Sequence, residues 1–171
     1  KTTTTINLAT SLAAIKKNVL IVDSDPQGNA STGLGIPYDQ RSPSIYEMIH
    51  ENKLIKEGVK ETIVPGLKII GANTDLAAAE VELTNFERRE YVLMNIFEGL
   101  ENFDFILIDC PPALGFLTIN SLVASNTALI PLQSEFFALE GLSALVKTID
   151  LIQQNYNSKL KIEGILLTML D

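Results

Sequence analysis

Short, continuous apolar runs, each ending in an aspartate, alternate along this chain with stretches of helical periodicity. Residues 19–22 are followed by Asp23, and residues 105–108 are followed by Asp109. Strands that are buried on both faces have such unbroken apolar runs, and their alternation with helices indicates βαβ units. The sequence therefore predicts an α/β fold with a doubly wound, mostly parallel sheet and helices on both of its faces.

The periodicity along the rest of the chain predicts where the other elements lie. Helices are expected at residues 2–17, 44–50, 77–100, 115–124 and 142–152, and strands at 19–22, 67–70, 103–109, 128–132 and 162–168. Residues 24–43 are rich in Asp, Pro, Gly and Ser, which predicts a long loop. No repeat or composition break indicates a second domain, so we expect residues 1–171 to form one partial domain. Because the chain starts inside a motif and stops after a strand, we expect the sheet to lack its first strand and the domain its C-terminal part.

Composition excludes several classes of protein. The 171 residues are 46% hydrophobic and 20% charged, which is ordinary for a soluble globular protein and unlike a disordered one. No apolar run approaches the roughly 18 residues that a membrane-spanning helix needs. The net charge of -8 argues against a broad basic DNA-binding face on residues 1–171, because neutralising phosphates requires clustered Lys and Arg.

The first two residues, Lys1 and Thr2, match the last two positions of the P-loop pattern G-x-x-x-x-G-K-[ST]. In that loop the lysine ammonium binds phosphate at a helix N-terminus, and the hydroxyl binds Mg²⁺. A threonine-rich helix N-terminus beside a solvated lysine explains the same dipeptide. The pair alone therefore leaves both interpretations open.

Two acidic motifs follow predicted strands, at the edge where open α/β sheets bind ligands. Asp23 and Asp25 both follow the first run, so one carboxylate can face a metal-bound phosphate or its attacking water while the other caps the strand or loop. Asp109 ends the second run as the acid of a Walker B strand does when it supports Mg²⁺. An ordinary polar turn and a capping aspartate explain the two motifs about as well.

Longer strings of residues reduce this ambiguity. They are KTTTTINLA at 1–9, VDSDPQGNA at 22–30, IDCPPALG at 108–115, ALEGL at 138–142 and EGILLTMLD at 163–171. These strings resemble the ParA-type chromosome and plasmid partition ATPases, which are deviant-Walker P-loop proteins related to MinD and the nitrogenase iron protein. The second string resembles the family's D-x-DPQGNA signature, which is more restrictive than a generic P-loop pattern. The resemblance covers essentially the whole chain and implies the P-loop NTPase version of the predicted fold.

The resemblance implies a role for each matching residue. Lys1 would bind the β- and γ-phosphates of ATP, Thr2 would bind Mg²⁺, and Thr3 would contact a phosphate. Asp25 would orient or activate the attacking water next to the metal, which makes Asp25 and Lys1 the candidate catalytic residues. Asp109 would support Mg²⁺. The residues expected to bind nucleotide or metal are Lys1, Thr2, Thr3, Asp25, Asp109 and Pro111.

The resemblance also implies a cytoplasmic, nucleoid-associated ATPase whose Mg²⁺-ATP form dimerises and binds DNA non-specifically. Hydrolysis, stimulated by a ParB-like centromere-binding protein, would reopen the dimer, and no membrane takes part. The family's signature lysine precedes the loop glycines, and its DNA-binding arginines lie mostly beyond residue 171. Because most of the phosphate-binding loop is missing, we predict that residues 1–171 alone hydrolyse ATP poorly.

Three other functions stay open at this point. A MinD-like, membrane-cycling ATPase shares the nucleotide chemistry, although the DPQGN string at 25–29 favours the partition branch. A degenerate P-loop module that only binds proteins is disfavoured by the intact Lys1, Asp25 and Asp109. A nicotinamide-binding Rossmann domain is disfavoured because no G-x-G-x-x-G follows a predicted strand.

Overall fold

The computed structural model describes residues 1–51 and 54–169. The helices are α1 (Thr2–Ala14), α2 (Asn29–Gly33), α3 (Ile45–His50), α4 (Leu76–Glu82), α5 (Val92–Phe97), α6 (Phe116–Val123) and α7 (Phe136–Asn155). The strands are β1 (Val19–Asp23), β2 (Val59–Glu61), β3 (Leu67–Ile70), β4 (Phe105–Asp109), β5 (Thr127–Gln133) and β6 (Lys161–Thr168). Within the two described ranges, no helix has both the length and the apolar character needed to cross a bilayer.

The strands confirm the predicted α/β fold with a mostly parallel sheet. Four of them form a sheet in the order β2-β3-β1-β4, and β5 and β6 form a second, two-stranded sheet. Strands β3 and β4 run parallel to β1, and β6 runs parallel to β5. Among the strands of the described residues, only β2 is antiparallel, to β3. The sequence did not predict β2, because three residues are too few to show a period.

Strand β1 is buried on both faces, as its continuous apolar run predicts. Its residues Val19 and Ile21 pack against α1 and α2, whereas Leu20 and Val22 pack against α3, α4, α5 and α6. Successive side chains of a strand point to opposite faces, so a strand covered by helices on both sides needs apolar residues at every position. All four of these residues are 0% exposed.

Strand β4 is less buried than its apolar run predicted. Phe105 and Ile106 are 43% and 39% exposed. Among the described residues β4 pairs with β1 alone, and its other edge faces a cavity of about 910 Å³ that reaches to β5. Hydropathy reports the apolar character of a strand but not whether both of its neighbours are present, and this explains the difference.

Several predicted element boundaries were wrong, including that of the helix predicted at 142–152, which begins at Phe136. The predicted loop at 24–43 contains α2 and a short 3-10 helix, and the first helix ends at Ala14 rather than residue 17. The helix predicted at 77–100 is divided into α4 and α5 by two 3-10 turns, with Arg88 in the left-handed region at φ 52°. Residues 83–91 contain no Gly or Pro to signal this break, so apolar spacing alone could not reveal it.

Helix α3 begins with a capping box, which carries a stability prediction. The Ser44 hydroxyl accepts the Tyr46 N–H at 3.2 Å, and the Glu47 carboxylate accepts the Ser44 N–H at 2.9 Å. We expect Ser44→Ala to lower the free energy of unfolding of the intact protein by about 1 kcal/mol, because the cap is lost. Urea denaturation at pH 7 measures this change.

The same prediction has a pH dependence and a control. Burial raises the pKa of Glu47, but the hydrogen bonds from Ser44 and Ser42 outweigh it and lower the pKa below its usual value. A lowered pKa gives stability that is present above the unfolded-state pKa and is lost as the pH falls. The difference between wild type and Ser44→Ala should therefore shrink in acid. Ser11→Ala, at an exposed position on α1, should change stability by less than about 0.5 kcal/mol.

Candidate functional site

The carboxyl ends of β1 and β4 bring the two acidic motifs together. The strands pair in register from Val19 with Phe105 to Asp23 with Asp109. Beyond the last pair, the Ser24 N–H donates to the carbonyl oxygen of Asp109 at 2.9 Å. The two motifs are therefore adjacent in space, at the sheet edge where parallel α/β folds bind ligands.

Asp23 holds the loop that follows it and does not point into open space. Its Oδ2 accepts hydrogen bonds from the Ser31 N–H at 2.9 Å and from the Ser31 hydroxyl at 2.7 Å, and its Oδ1 accepts the Asp25 N–H at 3.3 Å. Burial raises the pKa of Asp23 to about 6, although these hydrogen bonds oppose the shift. Asp23, the last residue of β1, is therefore the acid that caps the loop, rather than Asp25.

Asp25 lies at the start of a tight turn. Its Oδ1 accepts the Gln27 N–H at 2.9 Å, and its carbonyl accepts the Gly28 N–H at 2.8 Å. The side chain is 7% exposed. Hydrogen bonds to the next three residues therefore fix the position of Asp25. They use Oδ1 and the backbone carbonyl and do not involve Oδ2.

Arg41 packs against this turn. The sequence alone did not predict a role for Arg41. Its guanidinium is buried and donates to the Ile36 carbonyl, the Ala72 carbonyl and the Thr32 hydroxyl, the last at 2.8 Å. Gly28 sits over it at φ +62°, and a Cβ there would lie 2.9 Å from the Ala72 oxygen and would contact Arg41 Nη1. No local pattern signals Arg41, since its partners are 5, 31 and 9 residues away.

Asp109 is buried with one oxygen unpartnered. Its Oδ1 accepts the Thr5 hydroxyl at 3.2 Å, whereas its Oδ2 has no hydrogen-bond partner among the described residues. Burial raises the pKa of Asp109, and the Thr2 hydroxyl, which is near but outside hydrogen-bond geometry, and the bonded Thr5 hydroxyl partly oppose the shift. A buried carboxylate oxygen without a partner is costly unless a cation or a proton compensates it. Its chemistry fits Mg²⁺, which binds proteins through one or two carboxylates.

The predicted phosphate-binding residues lie beside this carboxylate. The Lys1 ammonium donates to the Pro111 carbonyl at 3.2 Å. This hydrogen bond connects residues that are 110 positions apart in the chain. Thr2 is half-buried as the first residue of α1, and Thr3 is exposed. Lys1 makes no side-chain cap, and the first amides of a helix have no partner within it. The N-terminus of α1 can therefore bind an anion.

Comparisons with known proteins decide the family. A family model described as an AAA domain matches residues 1–162. The chain is 51% identical to the chromosome partitioning protein ParA of Myxococcus xanthus, covering 100% of this chain and 61% of the relative. It is 48% identical to the sporulation initiation inhibitor protein Soj of Bacillus subtilis, covering 100% of this chain and 68% of Soj. The chain belongs to the ParA/Soj family of ATPases.

Solved structures confirm the P-loop fold of this ParA/Soj chain. Cobyrinic acid a,c-diamide synthase of Mycobacterium smegmatis, with bound ADP and magnesium, superimposes with a TM-score of 0.93 at 37% identity. The match covers 99% of this chain and 70% of that one. The chain spans 61% and 68% of the lengths of the two curated relatives, so it corresponds to about two thirds of a ParA/Soj protein.

Proposed function

We propose that this chain is the nucleotide-binding part of a Mg²⁺-dependent ATPase that segregates chromosomal or plasmid DNA. The observation that supports it most is the unpartnered Asp109 oxygen at the ends of β1 and β4, where Lys1 reaches Pro111 and Asp25 follows two residues beyond β1. The 51% identity to a chromosome partitioning protein supports the DNA-segregation part. Residues 1–171 would act as one ATPase domain.

Each predicted site residue keeps its role in this proposal. Lys1 and the N-terminus of α1, including Thr3, bind the phosphates of ATP. Pro111, whose carbonyl accepts the Lys1 ammonium, lies next to the nucleotide. Thr2 and Asp109 hold Mg²⁺, which neutralises charge on the phosphates when bound. Asp25 would orient the attacking water next to the metal. Phosphoryl transfer needs mainly positioning and charge stabilisation, and these residues supply both.

The cellular cycle is the finer part of the proposal. ATP binding favours a homodimer that binds DNA without sequence preference, and a ParB-like centromere-binding protein stimulates the hydrolysis that reopens it. The protein acts in the cytoplasm on the nucleoid, without a membrane. Since residues 1–171 carry a net charge of -8, the DNA-binding surface would lie mostly outside them.

Binding of DNA by the intact protein tests this function. We expect ATP with Mg²⁺, but not ADP, to allow binding of non-specific duplex DNA in a mobility-shift or anisotropy titration. The affinity should fall by about ten-fold or more between roughly 50 and 200 mM salt, because phosphate contacts release counterions. Salt-insensitive binding, or recruitment to anionic lipid vesicles in place of DNA, would contradict the proposal.

A further inference from the structure

A carboxylate from α4 caps the N-terminus of α6. The Phe116 N–H donates to Glu80 Oε2 at 2.7 Å, and the Leu117 N–H donates to Glu80 Oε1 at 3.1 Å. Gly115, at the N-cap position, has no side chain to accept these amides, and a Cβ there would lie 2.5 Å from Glu80 Oε2. The place of an ordinary cap is thus taken by a side chain from another helix.

This arrangement does more than stabilise α6. The first amides of a helix lack partners and carry partial positive charge, so a carboxylate that accepts two of them makes strong, charge-assisted bonds. A cap from the adjacent residue would satisfy the same amides. Because Glu80 is 36 residues from Phe116, its two bonds also fix the position of α6 relative to α4.

The first turn of α6 is fixed on a further side by Asn120, which is fully buried. The Asn120 amide donates to the carbonyls of Arg89 and Phe116 at 2.9 and 3.0 Å, and its oxygen accepts the Leu93 N–H at 3.1 Å. The Arg89 guanidinium lies 4.7 Å from the Phe116 ring centroid. This turn is therefore held from α4 and from the chain around α5 together.

The held turn leads directly back to the candidate site. The 110–115 segment joins Asp109 at the end of β4 to the start of α6. Its Pro111 carbonyl accepts the Lys1 ammonium, and its Ala113 carbonyl accepts the Thr118 hydroxyl at 2.7 Å. A shift of the α6 N-terminus would therefore move the carbonyl that contacts Lys1.

We propose that Glu80 is a positioning residue for ATP hydrolysis, which holds the 110–115 segment against Lys1 by fixing the N-terminus of α6. The inference rests on the proposed function. Glu80 is not among the proposed nucleotide- or metal-binding residues, so its loss should lower kcat far more than it raises the KM for ATP. Through Glu80 and the 110–115 segment, the position of α4 would therefore affect the rate of hydrolysis.

Steady-state ATPase kinetics of the intact protein test this inference with three variants. We expect Glu80→Ala to lower kcat by about 10- to 100-fold with KM within about two-fold of wild type, because a small displacement near the reacting groups is costly. Glu80→Gln keeps one acceptor oxygen and should lose less. The matched control is Glu87→Gln, an exposed acid in the connection between α4 and α5, which should behave as wild type.

Amide hydrogen exchange supplies a second readout. Exchange at Phe116 and Leu117 and in the 110–115 segment should be faster in Glu80→Ala, with segments away from α6 unaffected. Gly115→Ser added to Glu80→Ala restores a local cap. We expect this double variant to recover stability to urea without recovering kcat, because the link to α4 is still absent.

The outcomes separate the inference from the function on which it rests. Wild-type kcat in Glu80→Ala, or recovery of kcat along with stability in the double variant, would overturn the positioning role and leave the ATPase proposal intact. Unchanged exchange at Phe116 and Leu117 would overturn the cap itself. A wild-type protein that neither binds nor hydrolyses ATP would overturn the proposed function and the inference with it.

Discussion

In the full-length protein, Asp25→Ala should leave the affinity for ATP unchanged and reduce the rate of hydrolysis by about 10²- to 10⁴-fold. A positioned carboxylate that orients or activates the attacking nucleophile typically contributes a factor of this size. Asp25 lies two residues beyond Asp23, which pairs with Asp109, and its Oδ1 accepts the Gln27 N–H at 2.9 Å. Nucleotide binding is measured by titration with a fluorescent ATP analogue, and turnover by phosphate release.

A second substitution separates the charge of Asp25 from the shape of its turn. An asparagine oxygen can still accept the Gln27 N–H, so Asp25→Asn preserves the turn and removes the charge. We expect it to lose turnover as Asp25→Ala does. Asp39→Ala, at an exposed acid in the same region, is the matched control and should keep wild-type turnover. Full activity of Asp25→Asn would refute a chemical role for this carboxylate.

Lys1→Ala should weaken both ATP binding and turnover in the intact protein. Loss of one preorganised donor to a reacting group typically costs about 10²- to 10³-fold in kcat, and an ammonium that also binds the ground-state phosphates should raise KM as well. The ammonium lies beside the N-terminus of α1, where backbone amides add to the binding of an anion. Isothermal titration with ATP and magnesium measures the loss of affinity.

The control for Lys1 is a lysine of the same helix–strand unit. Lys17→Ala changes the net charge equally at an exposed position between α1 and β1, so it should keep wild-type affinity and turnover. An equal loss in both variants would mean that general charge, and not the position of Lys1, governs binding. Unchanged ATP affinity in Lys1→Ala would contradict its assignment as a phosphate-binding residue.

Local sequence patterns were sufficient for much of the fold. Strand β1 reads as a continuous apolar run because it is covered on both faces, and the helix predicted at 44–50 corresponds to α3. The same patterns gave no sign that 77–100 is broken or that β4 is half-exposed at Phe105. Those features depend on which elements pack against each other, and apolar spacing along one segment does not record its neighbours.

The candidate site shows the same division. Motif spacing located Asp25 and Asp109 at strand ends, and parallel pairing of β1 with β4 then brings them together. Motif spacing could not predict that Asp23 accepts hydrogen bonds from Ser31, since these bonds form only in the folded protein. Arg41, beneath Gly28, had no sequence signal because its partners are backbone carbonyls and a hydroxyl from separate turns.

By itself the sequence determined the parallel α/β class and the ParA-type resemblance, which implies the candidate nucleotide-site residues, because periodicity and motif strings are local properties. Only the tertiary structure decided which aspartate oxygen is unpartnered and that Lys1 reaches Pro111. It also revealed that Glu80 caps a helix 36 residues further along the chain. Such contacts arise when distant segments pack together, and hydrogen-bonding partners brought together in that way leave no periodic pattern in either segment.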